Sequence, residues 1–242
     1  MYNLCLKIIL CFLIIIFILY ILIRYRSSFL FIKNDSLLPD YNSCDGFLSI
    51  EEQTTLLKNI NNCEFINENP LNEGFQNSRG FVIKFTDGEL LEKHFIENNL
   101  IFVYEMFKKI KDPACNAFIF NILIIPSKNI KEDSVAMHHD CTFEARETNF
   151  PYRYYLPKCV NVIYAKICNE FKGGKLKLYD FNGNHVKHYI TPKERKMVMF
   201  RGDQLHCVQN YISKDKSPRI SLVFEQYQLP LNVLPNYTFE II

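Results

Sequence analysis

Residues 134–141 read SVAMHHDC and hold the most informative pattern of the chain. If this segment is a β-strand, side chains two positions apart lie on the same face of it. His138 and Asp140 then point one way and His139 points the other. One short extended segment cannot surround a metal ion, so a metal-binding role for this pair needs a third ligand from a distant strand.

His206 meets that requirement. Residues 196–200 have the composition of a strand, 201–203 that of a turn, and His206 begins a second apolar strand. Two imidazoles and one carboxylate are the donors of the facial triad, which binds a non-haem iron on one face and leaves other positions open. The sequence therefore predicts that His138, Asp140 and His206 are metal ligands. The remaining histidines are interpreted as non-ligands: His94, His139, His185 and His188.

Further segments surround these ligands in a definite order. Ser49 and Glu52 have the spacing of a capping box, which predicts a helix running to about Asn62. A second helical pattern covers 89–110, and β patterns continue from Ala117–Pro126 to Tyr227. Helices first and strands afterwards predict an α+β, mainly β domain, with helices that brace a barrel or jelly roll.

Three segments complete the pattern behind the metal pair. VNVIYA at 160–165 is rich in β-forming residues, and GGKLKLY at 173–179 begins with a predicted strand-entry turn at Gly173-Gly174. RISLVF at 219–224 follows His206. Taken in this order from about Asp45 to Gln226, the elements resemble the 2-oxoglutarate and Fe(II)-dependent dioxygenases of the prolyl 4-hydroxylase type.

The resemblance implies a double-stranded β-helix with Fe(II) held at its mouth and 2-oxoglutarate as cosubstrate. Arg219 would bind the far carboxylate of 2-oxoglutarate, since its planar donors suit a bidentate ion pair. Ser221, on the same strand face, would add a hydrogen bond. Relatives often place a tyrosine on the strand before the metal pair, where this chain has Asn121–Pro126. Tyr164, on the strand after the pair, is the predicted substitute.

The amino terminus predicts a membrane anchor. Residues 4–23 are apolar except for Lys7, and about 20 apolar residues are enough for a helix to cross a bilayer. The run is longer than a signal-peptide core, and no small-residue cleavage site follows it. We therefore expect one transmembrane helix and divide the chain into an anchor (1–26), a linker (27–43) and a dioxygenase-like domain (44–242).

The orientation in the membrane stays open. Arg24 and Arg26 lie just after the span and favour a cytosolic domain. Membrane-anchored relatives of the prolyl hydroxylase kind commonly have a luminal domain in the endoplasmic reticulum, so the resemblance favours the opposite arrangement.

Composition argues against other classes. The net charge is +2, and Lys7, Arg24 and Arg26 of the predicted anchor account for that excess. A nearly neutral domain gives no electrostatic reason to expect nucleic acid as a partner. The cysteines form no C-x-x-C pair, which argues against a zinc ribbon or a thioredoxin-type site.

Two functions remain from different classes. The first is a membrane-anchored hydroxylase that acts on a protein or peptide with dioxygen and, by resemblance, ascorbate. Proline is the residue that the resemblance implies, with lysine or a small molecule as alternatives. The second is an inactive β-helix scaffold that serves as a membrane-tethered interaction protein, because a fold does not fix a function.

Overall fold

The structure, a computed structural model, describes residues 13–20, 38–66, 75, 78–141, 143–145, 153–180, 182–234 and 238–242. The helices of this part are α1 (13–20), α2 (Ile50–Asn61), α3 (Leu91–Glu97) and α4 (Ile101–Ile110), with a short 3-10 helix at Leu231–Val233. The strands are β1 (Tyr41–Cys44), β2 (Arg79–Thr86), β3 (Ala117–Ile125), β4 (Val135–His138), β5 (Phe143–Ala145), β6 (Arg153–Tyr155), β7 (Cys159–Lys166), β8 (Phe171–Gly173), β9 (Leu176–Tyr179), β10 (Val186–Ile190), β11 (Met197–Arg201), β12 (His206–Val208), β13 (Tyr211–Ser213), β14 (Arg219–Tyr227) and β15 (Phe239–Ile241).

Two antiparallel sheets face each other. The larger has seven strands in the order β1-β11-β7-β14-β3-β2-β15, and the smaller has four in the order β10-β9-β12-β4. Strands β8 with β13, and β5 with β6, form two further pairs. The prediction of a mainly β domain is confirmed, and the two facing sheets are consistent with the predicted jelly roll.

The central strands of the large sheet are buried on both faces. Strand β3, AFIFNILII, is buried along its whole length, which explains why it is a nearly continuous apolar run. Phe118, Phe120 and Ile122 belong to the core shared with α2, α3 and α4. Leu123 and Ile125 belong to the core shared with the small sheet. The helices therefore brace one face, and the other face closes over the interior of the sandwich.

The capping box is confirmed. The Ser49 side chain accepts a hydrogen bond from the Glu52 amide at 3.1 Å, and the Glu52 carboxylate accepts one from the Ser49 amide at 2.8 Å. These bonds satisfy amide groups that have no partner within α2. The helix then places Leu56 and Ile60 in the core.

The predicted helix over 89–110 is wrong in one respect, because it is two helices. Asn99 has a φ of 57°, in the left-handed region, and separates α3 from α4. Asparagine tolerates this conformation better than most residues, so the chain can turn there without glycine. The turn lets Phe95 of α3 and Phe107 of α4 both pack edge-on against Phe85 in β2.

The turn at Gly173-Gly174 has the expected close approach. Gly173 has a φ of 71°, and a Cβ atom there would lie 1.9 Å from the carbonyl oxygen of Asn210. Only glycine fits so near a neighbouring backbone. The turn leads into β9, which pairs with β12, the strand that contains His206.

The structure describes only part of the predicted membrane anchor and linker. Within the described residues, no helix is both long and apolar enough to cross a membrane. Of the predicted anchor, 13–20 form α1, and its other residues lie outside the described part. Residues 41–43, which the sequence assigned to the linker 27–43, lie in β1 and pair with β11. The large sheet therefore begins before residue 44.

Candidate metal centre

Strand pairing brings the distant histidine to the His-x-Asp segment. Strands β4 and β12 are antiparallel neighbours, and His206 lies directly opposite His138. The centres of the two imidazole rings are 4.3 Å apart. Asp140 follows β4 by two residues and is buried beside both rings.

The three side chains converge on one point. His138 Nε2 lies 3.4 Å from Asp140 Oδ1, and His206 Nε2 lies 3.6 Å from Asp140 Oδ2. One ligand atom from each residue lies within 4.8 Å of the others. Adjacent donors around an ion with bonds of about 2.1 Å are about 3 Å apart, so this spacing fits a divalent metal after a small contraction.

Backbone carbonyls fix the orientation of both rings. His138 Nδ1 lies 2.8 Å from the Ala136 oxygen, and His206 Nδ1 lies 3.0 Å from the Gln204 oxygen. A carbonyl can only accept, so each Nδ1 carries the proton and donates it. The Nε2 atoms then face the cluster and would offer their lone pairs to a metal, an arrangement that also makes a histidine a better ligand.

Two of the three side chains, those of Asp140 and His206, have the protonation state that a bound cation requires. Burial lowers the pKa of His206 to about 4, so this imidazole is neutral at physiological pH. Burial opposes the ionisation of Asp140, but the neighbouring histidines hold the pKa of its carboxyl group below the ordinary value. Burial lowers the pKa of His138, but its hydrogen bond to Asp140 and the charge of that group raise it above the ordinary value. The pocket thus holds a buried carboxylate beside a neutral imidazole.

The other histidines lie outside this cluster. His94 stacks on Phe239, with ring centres 5.6 Å apart, and His188 lies 3.2 Å from the Asp40 carboxylate. His139 follows the end of β4, and burial lowers the pKa of its ring. The structure thus groups the three residues that the spacing selected and leaves these histidines aside.

A second set of buried polar residues lies on β14 and β7. Arg219, Ser221 and Tyr164 are each at most 1% exposed. Ser221 lies opposite Tyr164 in the strand register, and the Arg219 guanidinium lies 5.1 Å from the centre of the Tyr164 ring. Burial lowers the pKa of Arg219 and raises that of Tyr164.

These side chains have unused hydrogen-bonding groups. Arg219 Nε and Nη1, Ser221 Oγ and the Tyr164 hydroxyl are buried without a hydrogen-bond partner. Among the described residues, no carboxylate forms an ion pair with Arg219. An unpaired buried charge is costly, so this arrangement fits a small anion that would occupy the site.

One cavity joins the two sets. It is lined by the three clustered residues His138, Asp140 and His206 and by Arg219 and Ser221. The rest of its lining is mostly apolar, including Leu123, Val162, Leu176, Phe200 and Val208. Asn121 of β3 also lines it, and sequence reasoning assigned no role to this residue. The available signal was its position as the only polar residue of an otherwise apolar strand.

Comparisons with known proteins agree with this architecture. Neither a protein-family model nor a curated protein matches the chain. The crystal structure of IDO from Bacillus thuringiensis matches with a TM-score of 0.50 and 13% identity, covering 78% of this chain and 91% of that one. The dioxygenase for auxin oxidation 1 from Arabidopsis thaliana, bound to 2-oxoglutarate, matches with a TM-score of 0.50 and 10% identity, covering 82% and 90%.

A prolyl-4-hydroxylase from Pseudomonas putida has a TM-score of 0.49 and 16% identity, covering 79% of this chain and 94% of that one. At such identities, the matches at a TM-score of 0.50 establish the fold. The chain therefore has the fold of a class that includes a 2-oxoglutarate-binding dioxygenase, and the predicted resemblance is confirmed at that level.

Proposed function

We propose that this protein is an Fe(II)- and 2-oxoglutarate-dependent dioxygenase that hydroxylates a peptidyl residue. One observation carries the proposal: a single cavity joins three converging metal donors to a buried arginine with unused N–H groups. Neither the three metal donors nor the buried arginine would be specific for this chemistry alone. Together they match the two requirements of this chemistry, a cation site with open positions and a pocket for a dicarboxylate.

The metal would be held by His138, Asp140 and His206. When bound, Fe(II) would supply the activation of dioxygen, which is the oxidant: one oxygen atom would enter the hydroxylated C–H bond, and the other would enter the succinate formed with carbon dioxide from 2-oxoglutarate. The protein's part is to position the reactants and keep competing water out. The backbone oxygens of Ala136 and Gln204 accept hydrogen bonds from the rings of His138 and His206 and so fix the orientation of both rings toward the metal site.

The cosubstrate would be held by Arg219, Ser221 and Tyr164. Arg219 would pair with the carboxylate farthest from the metal, and the two hydroxyl groups would add hydrogen bonds. Because these groups are buried, the ion pair would form with little screening by water. The otherwise apolar lining of the cavity would exclude water from the reacting atoms.

The substrate class comes from the sequence resemblance. A peptidyl proline is the first candidate, lysine and small molecules are the alternatives, and ascorbate would keep the iron reduced. Residues 143–145 and 153–155 form the β5–β6 pair, which follows Asp140 in the chain. Phe143 of this pair packs edge-on against Tyr227 of β14, with ring centres 4.8 Å apart.

The decisive experiment uses the full chain in detergent. Anaerobic titration with Fe(II) and then 2-oxoglutarate should show saturable binding of both, and proline peptides should yield succinate above the peptide-free rate in air. Lysine peptides serve as the comparison. Iron binding without cosubstrate binding or succinate formation would reject the dioxygenase and leave the membrane-tethered scaffold.

We also propose that residues 1–26 anchor the protein in a membrane as a single span. The support is the apolar run at 4–23, whose length matches a bilayer. The full chain should stay in the membrane fraction after a carbonate wash, and a chain lacking residues 1–26 should not. Protease protection of sealed vesicles then decides between a luminal domain in the endoplasmic reticulum and a cytosolic one. Release of the full chain by carbonate would reject the anchor.

A further inference from the structure

Asn121 occupies an unusual place in the large sheet. It is the only polar residue of β3, it is 8% exposed, and its Oδ1 atom has no hydrogen-bond partner. An amide oxygen buried without a partner destabilises a folded chain, since it gives up hydrogen bonds to water and gains none. An apolar residue would suit the strand better unless the amide meets a ligand.

The strand register locates this amide within the cavity. Along β14, the inward-facing residues Arg219, Ser221 and Val223 lie opposite Ile125, Leu123 and Asn121 of β3. Residues two apart on a strand are separated by about 7 Å. Asn121 is therefore two steps from the row of Arg219, at the other end of the same lining.

That end is the side of the metal cluster. Glu225 lies two residues beyond Val223 and shares a row of the sheet with Val160 of β7 and Phe200 of β11. The ring centre of Phe200 lies 4.9 Å from that of His206. The direction from Arg219 through Ser221 to Val223 therefore leads toward the proposed metal ligands. Asn121, opposite Val223, lines the space between the buried arginine and the cluster.

We propose that the Asn121 amide binds the metal-side end of the 2-oxo acid, donating an N–H to its 1-carboxylate or 2-oxo oxygen. This rests on the proposed function. Arg219 and Asn121 would thus grip opposite ends of one dicarboxylate.

Binding measurements without turnover test the assignment. Mn(II) replaces Fe(II), and 2-oxoglutarate affinity is measured by calorimetry for wild type, Asn121→Leu and Asn121→Asp. Loss of a hydrogen bond to a charged group should weaken binding by about ten- to a hundredfold in Asn121→Leu. Asn121→Asp should weaken it further, because a carboxylate repels the ligand. Affinity for Mn(II) alone should stay the same in Asn121→Leu.

A second probe identifies the end of the ligand that each residue serves. 2-Oxobutyrate keeps the metal-binding end of 2-oxoglutarate and lacks the far carboxylate. Asn121→Leu should weaken binding of both acids by a similar factor. Arg219→Met should weaken 2-oxoglutarate strongly and 2-oxobutyrate little. The opposite pattern would overturn the assignment of Asn121 to the metal side.

Thermal stability separates a ligand role from a structural one. With no ligand present, Asn121→Leu should melt at the same or a higher temperature than wild type, because an amide with an unpartnered oxygen is replaced by an apolar side chain of similar size. A lower melting temperature with unchanged 2-oxoglutarate affinity would show that the amide serves the fold and would overturn the proposal.

Ser134→Ala is the matched control. Its hydroxyl is also buried without a partner, but it does not line the cavity. The change should leave 2-oxoglutarate affinity as in wild type. If wild type itself binds Mn(II) but no 2-oxoglutarate, the proposed function fails. If wild type binds it and the Asn121 variants bind equally well, only the present inference fails.

Discussion

The two faces of the large sheet differ in the kind of side chain that they bury. On the helix side, Phe85 packs against Phe107 and Phe118 with ring centres 5.0 and 5.4 Å apart, and Phe120 packs against Phe224 at 4.7 Å. On the other side, the same sheet carries Arg219, Ser221 and Tyr164 with unused hydrogen-bonding groups, all as deeply buried as the phenylalanines.

The difference separates stability from function. Apolar contacts on the helix side stabilise the domain, whereas unpartnered polar groups on the other side cost free energy. Such a cost is expected where a protein retains groups for a ligand at the expense of its own stability. Each face therefore predicts its own response to mutation: the helix side should affect unfolding, and the cavity side should affect binding.

The largest effect is expected at the metal cluster. His206→Ala leaves two protein donors, too few to hold the metal in the facial geometry, so affinity for Fe(II) or Mn(II) should fall by more than about a hundredfold. His138→Ala and Asp140→Ala should behave alike. Anaerobic metal titration measures the change. His139→Ala is the control, and an equal loss there would mean that the ligand register is misassigned.

The next largest effect should come from the helix side. Phe120 is fully buried, so Phe120→Ala should lower the free energy of unfolding by about 3–5 kcal/mol because it leaves a cavity. Urea denaturation measures the loss, and the folded fraction should bind metal as wild type does. Comparable stability to wild type, or a selective loss of metal affinity, would contradict the division between the two faces.

The substitution Arg219→Met tests the role of the cavity face in binding 2-oxoglutarate. Removing one member of a buried charge pair costs about 2–5 kcal/mol of binding, which corresponds to roughly 30- to several-thousand-fold weaker 2-oxoglutarate binding at constant metal occupancy. The free energy of unfolding without ligand should not fall, since an unpaired buried charge is removed.

Lys214→Met is its control, because Lys214 is exposed and, among the residues that the structure describes, forms its ion pair with Glu170 on the surface. Calorimetry should show wild-type affinity for 2-oxoglutarate in this variant. Arg219→Met with wild-type affinity would remove the main support for the cosubstrate site.

The smallest effect is expected at the capping box. Ser49→Ala removes the acceptor of the Glu52 amide and should lower the free energy of unfolding by about 1 kcal/mol. Thr54→Ala, an exposed change within the same helix, should have a smaller effect. Both variants should keep metal and 2-oxoglutarate affinity, and a change in either affinity would show that α2 does more than brace the sheet.

Local rules account for what the sequence predicted. Alternation along a strand placed Arg219 and Ser221 on one face, and the S-x-x-E spacing predicted the start of α2. The break at Asn99 was missed, because asparagine enters the left-handed region without a glycine to mark it. Strand β2, RGFVIKFT, was also missed, although Phe81, Ile83 and Phe85 alternate as in a strand.

The sequence by itself determined the donor types, the mainly β character and the side of each strand on which these residues lie. Only the tertiary structure decided which strands are neighbours. The pairing of β12 with β4 puts His206 opposite His138, and that of β14 with β7 puts Ser221 opposite Tyr164. Asn121 enters the cavity because β3 pairs with β14 in one particular register. The physical reason is that side-chain alternation is a property of neighbouring residues, whereas pairing between distant strands is selected by the packing of the whole core.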